Sequence, residues 1–220
     1  MTKLQININQ IYNQDALEFS RSLPDKSVDL VITDPPYNVK KNYGKYKDNL
    51  SQKKYQEWIK ELIDEWKRIS GNKMVIILGS ILLKDWWDCL PDAKLIIVKM
   101  GAFSQNKKYN IHLQFHPVLI TVKSNKIITD LWEDIRWPGE GYFFNEERYG
   151  HPAMTPLKLM KRCISIFSKD GDLIYDPFLG CGTTAVAATE LKRQWIATEI
   201  NTGYIKVAQN RADKAKRGVF

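Results

Sequence analysis

Apolar positions along the chain follow two periodicities in turn. Short runs dense in Val, Ile and Leu occur at Ile6–Tyr12, Val28–Thr33, Met74–Leu78, Leu95–Lys99, Pro117–Lys123, Leu173–Asp176 and Trp195–Glu199. Several are almost wholly apolar, as strands buried on both faces of a sheet must be. Between them the spacing turns helical. From about Gln52 to Ile69, the residues Tyr55, Trp58, Ile59, Leu62, Ile63, Trp66 and Ile69 keep an i, i+3, i+4, i+7 pattern. Ser51 is placed to cap that helix and Gly71 to end it in a left-handed turn. A second helix is predicted with Thr155 as cap, Pro156 at its first position and a buried stripe of Leu157, Met160, Ile164 and Phe167. Both stripes read as core. Strands alternating with helices predict one α/β domain with a mostly parallel sheet covered on both faces.

Two segments, 40–54 and 124–150, escape both periodicities. The first is rich in lysine and tyrosine, and the second mixes aromatics, acids and glycines. Both read as surface loops on one body, where functional contacts tend to gather. A chain of 220 residues can bury a substantial core without staples. No apolar run reaches the length of a membrane span, and Met1–Leu4 lacks a signal peptide's character, so a soluble, cytoplasmic protein is expected. The net charge of +8 favours a polyanionic partner. Cys89, Cys163 and Cys181 have neither CxxC nor metal-ligand spacing, which suits a reducing compartment.

After the strand ending at Asp176 comes Pro177-Phe178-Leu179-Gly180-Cys181-Gly182-Thr183-Thr184-Ala185. Glycines one residue apart allow a sharp turn that brings a ligand against amides at a helix start. Gly180, Gly182 and Ala185 also satisfy the loose GxGxxG/A dinucleotide pattern, and Glu199 ends the next strand at a suitable distance to bind ribose hydroxyls. An NAD-dependent oxidoreductase therefore enters as an alternative. The turn lacks a P-loop lysine, which argues against a nucleoside triphosphatase.

The strand Val28–Thr33 runs straight into Asp34-Pro35-Pro36-Tyr37. Two prolines make a rigid corner and remove two amide donors. A carboxylate precedes the corner and an aromatic ring follows it. An exocyclic base amine is a poor nucleophile because its lone pair is delocalised into the ring. Acceptors on its N–H bonds, here the Asp34 carboxylate and Pro35 carbonyl, would localise that pair and stabilise the charge developing on attack. Tyr37 is placed to stack on an extruded base. The oxidoreductase reading leaves this corner unexplained.

At these two motifs the chain resembles the S-adenosylmethionine-dependent amino-methyltransferases of bacterial restriction–modification systems and their solitary relatives. Asp34–Tyr37 resembles the family's catalytic motif, and Asp176–Gly182 its FxGxG cofactor motif. Catalytic motif first and cofactor motif last matches the β arrangement, a circular permutation of the Rossmann-like methyltransferase fold. The resemblance implies seven strands, one of them antiparallel, and methyl transfer to a flipped base. Aspartate at the head of the catalytic motif implies adenine N6 rather than cytosine N4, which stays the alternative. His151, Pro152 and Thr155 resemble the segment lining the methionine end of the cofactor, Glu199 the ribose-binding acid, and Asp15 the acid near the adenine ring. The resemblance further assigns Asp34, Asp176, Phe178, Gly180, Gly182 and Thr183 to cofactor binding. It makes residues 38–54 a mobile DNA-facing loop, with Lys40, Lys41, Lys45, Lys47 and Lys53 as phosphate contacts, and 124–150 the candidate target-recognition segment. Double-stranded DNA is the implied partner, with room for a second copy of the chain and for a cognate restriction endonuclease.

The remaining candidates are weaker. His112 and His116 lie four apart, but nothing nearby completes a coordination set, so no metal is expected. No cysteine follows a proline, which disfavours cytosine-C5 chemistry. Arg211, Lys214, Lys216 and Arg217 form a basic tail that suits either DNA contact or a solvated helix end. A non-catalytic DNA-binding subunit is the third reading, against which the intact catalytic tetrapeptide argues.

Overall fold

A computed structural model describes residues 6–38, 42–43, 46–47, 49–106, 111–135, 149 and 154–218. The chain opens with β1 (Gln10–Tyr12), α1 (Ala16–Ser22), β2 (Leu30–Thr33) and a small hairpin, β3 (Asn42–Tyr43) with β4 (Tyr46–Lys47). There follow α2 (Gln52–Ser70), β5 (Met74–Ile77), a 3-10 turn at Ser80–Leu82, α3 (Leu83–Cys89), and the long strands β6 (Lys94–Asn106) and β7 (Ile111–Ile120). The last part holds β8 (Leu131–Trp132), α4 (Leu157–Phe167), β9 (Leu173–Asp176), α5 (Thr183–Glu190), β10 (Gln194–Thr198) and α6 (Thr202–Lys216).

Among the described residues, eight strands form one sheet in the order β1-β10-β9-β2-β5-β7-β6-β8. Only β7 runs antiparallel to its neighbours β5 and β6. The expected single antiparallel strand is present, but the sheet has eight strands instead of seven. The added strand is β8, from the segment read as an irregular loop. Its Trp132 is buried and its backbone pairs with Ile97 and Val98 of β6.

Alternation along each central strand assigns its two faces. Leu30, Ile32, Val75 and Ile77 point into a core shared with Leu159, Ile164 and Ala185, from α4 and α5. Val31, Met74 and Ile76 point into the opposite core with Phe19, Ile59, Leu62 and Trp66, from α1 and α2. Helices therefore cover both faces, and each α2 apolar position from Tyr55 to Ile69 is buried except the half-buried Trp58. Ser51 and Gly71 (φ 63°) cap α2 as the sequence predicts.

The chain leaves β2 through α2 towards β5, and leaves β9 through α5 in the opposite direction towards β10. Right-handed crossovers heading opposite ways must lie on opposite faces. Their divergence opens a crevice at the carboxyl ends of β2 and β9, the switch point where ligands of open α/β sheets bind. Among the described residues no helix is long and apolar enough to cross a membrane.

Candidate active site

Both sequence motifs begin with Asp-Pro, and they cap the two strands that flank the crevice. Val31 pairs with Tyr175, so Ile32 lies opposite Asp176, and Asp34 stands two residues further out. That offset decides which carboxylate faces the crevice and which is enclosed by the sheet.

At the outer corner Asp34 is half-buried. Its Oδ1 accepts from the Tyr37 hydroxyl at 2.6 Å, and its Oδ2 accepts from the Thr155 hydroxyl at 2.6 Å. Two such hydrogen bonds, one on each oxygen, fix the orientation of the carboxyl group. Among the described residues no donor reaches the Pro35 carbonyl, whereas the Pro36 carbonyl accepts from Tyr55 at 3.0 Å. The Tyr37 ring lies against Gly79, where an added Cβ would stand 3.1 Å from Cε2. Glycine at position 79 makes room for the ring.

The predicted capping role of Thr155 needs correction. Pro156 occupies the cap position of α4 without a side-chain cap bond, and helical residues start at Leu157. One residue too early to cap, Thr155 donates its hydroxyl to a carboxylate, a stronger acceptor than any neutral group nearby.

The inner corner is held by one buried and one half-buried carboxylate. Asp176 is 3% exposed and accepts from Thr33 Oγ1 at 2.8 Å, Thr184 Oγ1 at 2.5 Å and the Phe178 amide at 3.0 Å. Burial raises its pKa to about 6, against the lowering by the Thr184, Phe178 and Thr33 donors. Glu199 accepts from the Gly180 amide at 2.9 Å and the Asn201 amide at 2.8 Å, and burial raises its pKa too. Gly180 and Gly182 take positive φ of 55° and 94°. A Cβ on Gly182 would fall 2.8 Å from the Ala208 Cα, so this glycine is required by the close approach of α6.

Between the corners lies a cleft of about 710 Å3, including its open mouth. From the first motif, Asp34, Pro35, Pro36 and Tyr37 line it. Phe178, Gly180 and Glu199 line it from the second, and Asp15 joins them while its Oδ1 caps α1 by accepting from Leu17 and Glu18. A second cavity of about 340 Å3 shares Asp34, Phe178 and Gly180 with the first and adds Thr155, Asp176 and Thr183. Gly182 lines neither.

Other predicted positions fall elsewhere. His151, Pro152, Lys40, Lys41 and Lys45 lie outside the described residues. Lys47 pairs through its backbone with Asn42 in the small hairpin. Lys53 belongs to the exposed first turn of α2, 3.9 Å from Glu57. His116 Nδ1 is 3.0 Å from the Leu78 carbonyl. Cys163 is fully buried, which pushes its thiol up to about 12.

Three functional positions were not legible beforehand. Trp58, read as core stripe, lines the cleft with its ring 5.7 Å from that of Phe178. Tyr204 lines the same cleft from the first turn of α6. Its place three residues beyond the Asn201 cap, in the helix that follows Glu199, was the available signal. Arg211 is neither a DNA contact nor a solvated helix end. It is 3% exposed and donates to the Cys181 carbonyl at 2.8 Å.

Comparison with known proteins meets this geometry from outside. A family model described as DNA methylase, of the N6/N4 type, matches residues 28–115 and 88–210. This chain belongs to the N6/N4 DNA methylase family. It is accordingly a DNA amino-methyltransferase of the N6/N4 type. Its relatives include the type II methyltransferase M.HpaI of Haemophilus parainfluenzae, 28% identical over 93% of this chain and 74% of that protein. The DNA adenine methyltransferase YhdJ of Escherichia coli K12 is 27% identical, covering 93% and 83%. Among solved structures, M1.HpyAVI in complex with SAM superposes with a TM-score of 0.64 at 25% identity, covering 92% of this chain and 98% of that one.

Proposed function

We propose that this DNA methylase transfers a methyl group to the exocyclic N6 amine of an adenine extruded from double-stranded DNA. The single observation carrying the proposal is that the Asp34 and Asp176 corners open onto one cleft with Asp34 outermost. The aspartate at the head of the catalytic corner and the kinship with YhdJ, a DNA adenine methyltransferase, support adenine. The likeness to type II methyltransferases supports a place in a restriction–modification system, with a cognate endonuclease as counterpart.

The chemistry of the cleft suits the methyl donor. Trp58 and Phe178 give it an aromatic wall, and Glu199 and Asp15 supply acceptors for ribose hydroxyls and an adenine amine. When bound, S-adenosylmethionine supplies an activated methyl electrophile.

The protein's own contribution is electrostatic. Tyr37 and Thr155 hold both Asp34 oxygens in place, which orients the carboxylate as an acceptor for an amine N–H. With the Pro35 carbonyl on the other N–H, the amine lone pair turns out of conjugation, and positive charge growing on nitrogen meets preorganised acceptors. The surplus proton then leaves along the same hydrogen bonds. Lys40, Lys41, Lys45, Lys47 and Lys53 serve as phosphate contacts, and segment 124–150 reads the target sequence.

Incubating the protein with labelled S-adenosylmethionine and mixed-sequence DNA, then digesting to nucleosides, should place the label on N6-methyladenine. Label on N4-methylcytosine alone would replace adenine with cytosine. No transfer at all by the isolated chain would reject the reading.

A further inference from the structure

Arg211 poses a problem that its neighbours only partly solve. Its guanidinium lies 3% exposed behind the cofactor turn, and no carboxylate pairs with it among the described residues. One nitrogen donates to the Cys181 carbonyl at 2.8 Å and reaches Thr183 Oγ1 at 3.4 Å. The Tyr149 ring faces the guanidinium carbon at 4.5 Å, which offsets some of the lost hydration. The Nε remains buried without a partner. A cation enclosed in this way is expensive unless something negative comes near it.

Cys181 and Thr183, the groups that Arg211 touches, form part of the wall of the smaller cavity. That cavity is also lined by the acids Asp34 and Asp176. It thus combines negative groups with a positive charge held just behind its wall, a pattern complementary to an amino-acid tail carrying both an ammonium and a carboxylate.

We infer that Arg211 is a positioning residue that fixes the Cys181–Thr183 turn and, through its buried charge, selects a methyl donor carrying a carboxylate on its amino-acid tail. The inference rests on the proposed use of S-adenosylmethionine. Arg211 acts through the turn without touching the ligand. Because the wall between them excludes water, its field is weakly screened.

The test is calorimetric titration of the full chain with S-adenosylmethionine and with its decarboxylated form. Wild type should bind the decarboxylated form at least about tenfold more weakly, the size of effect one buried charge exerts at this range. In Arg211→Met that gap should shrink to about threefold or less, through weaker binding of S-adenosylmethionine alone. Arg211→Lys keeps the charge and must keep most of the gap, whether or not the neutral variant folds. A purely structural role would weaken both ligands in parallel and leave the gap intact, which would overturn the inference. So would its absence from wild type or its loss in Arg211→Lys. Failure of wild type to bind either ligand would instead strike at the proposed function.

Discussion

Asp34 and Asp176 head the same dipeptide on neighbouring parallel strands, yet they live in opposite environments. Asp34 stands two residues beyond the level of Asp176, half-buried at the mouth of the cleft. Its partners are the side-chain hydroxyls of Tyr37 and Thr155. Asp176 sits within the sheet, where Thr33, Thr184 and the Phe178 amide enclose it. A two-residue step in register therefore separates a carboxylate that faces the cleft from one that clamps β2 to the glycine turn. Under the proposed function, identical local chemistry serves catalysis at one corner and construction at the other.

The sharpest way to break this contrast is Asp34→Ala. Methyl transfer should fall about 10³-fold, as removal of a preorganised transition-state acceptor does, while thermal stability and cofactor binding persist. Unchanged turnover would dissolve the distinction. Asp176→Ala should do the reverse, leaving two buried hydroxyls and the half-buried Phe178 amide without their acceptor and lowering unfolding free energy by about 3 kcal/mol. Denaturant titration would read that loss, and a variant as stable as wild type would deny Asp176 its clamping role.

A pH series sharpens the comparison further. The Asp176 pKa is raised in the folded protein from 3.8 to about 6. Folding therefore takes up a proton between these values, and the associated stability is present below pH 3.8 and lost as pH rises through 6. Set against Asp176→Asn, wild type should lose about 2 kcal/mol of relative stability between pH 4 and 7. A flat difference would show that Asp176 stays ionised. The smallest effect concerns the support of the outer corner. Thr155→Val removes one hydrogen bond to Asp34, so turnover should drop about tenfold with little change in melting temperature. Loss of stability without loss of rate would make Thr155 a structural residue instead.

Much of this was legible in advance where the signal is local. The α2 stripe, its Ser51 and Gly71 caps, and the apolar runs of β2, β5 and β9 follow from periodicity and backbone preference. The two corners were readable because proline and glycine restrict the chain wherever they occur. The misreadings share a different cause. Thr155 resembled a cap, Trp58 a core residue and Arg211 part of a solvated tail, since each is judged locally by its neighbours in sequence. Each takes its role from a residue far along the chain: Asp34 for Thr155, Phe178 for Trp58 and Cys181 for Arg211.

By itself, then, the sequence determined that this protein alternates strands with helices and carries an acceptor corner and a glycine turn of methyltransferase type. Periodicity, φ restriction and side-chain chemistry are properties of a residue and its immediate neighbours. Only the tertiary structure decided that the two corners share one cleft, that Asp34 rather than Asp176 faces it, and that Arg211 lies buried behind it. Those outcomes depend on strand register and on helix docking, which arise from burial of the two sheet faces against distant segments.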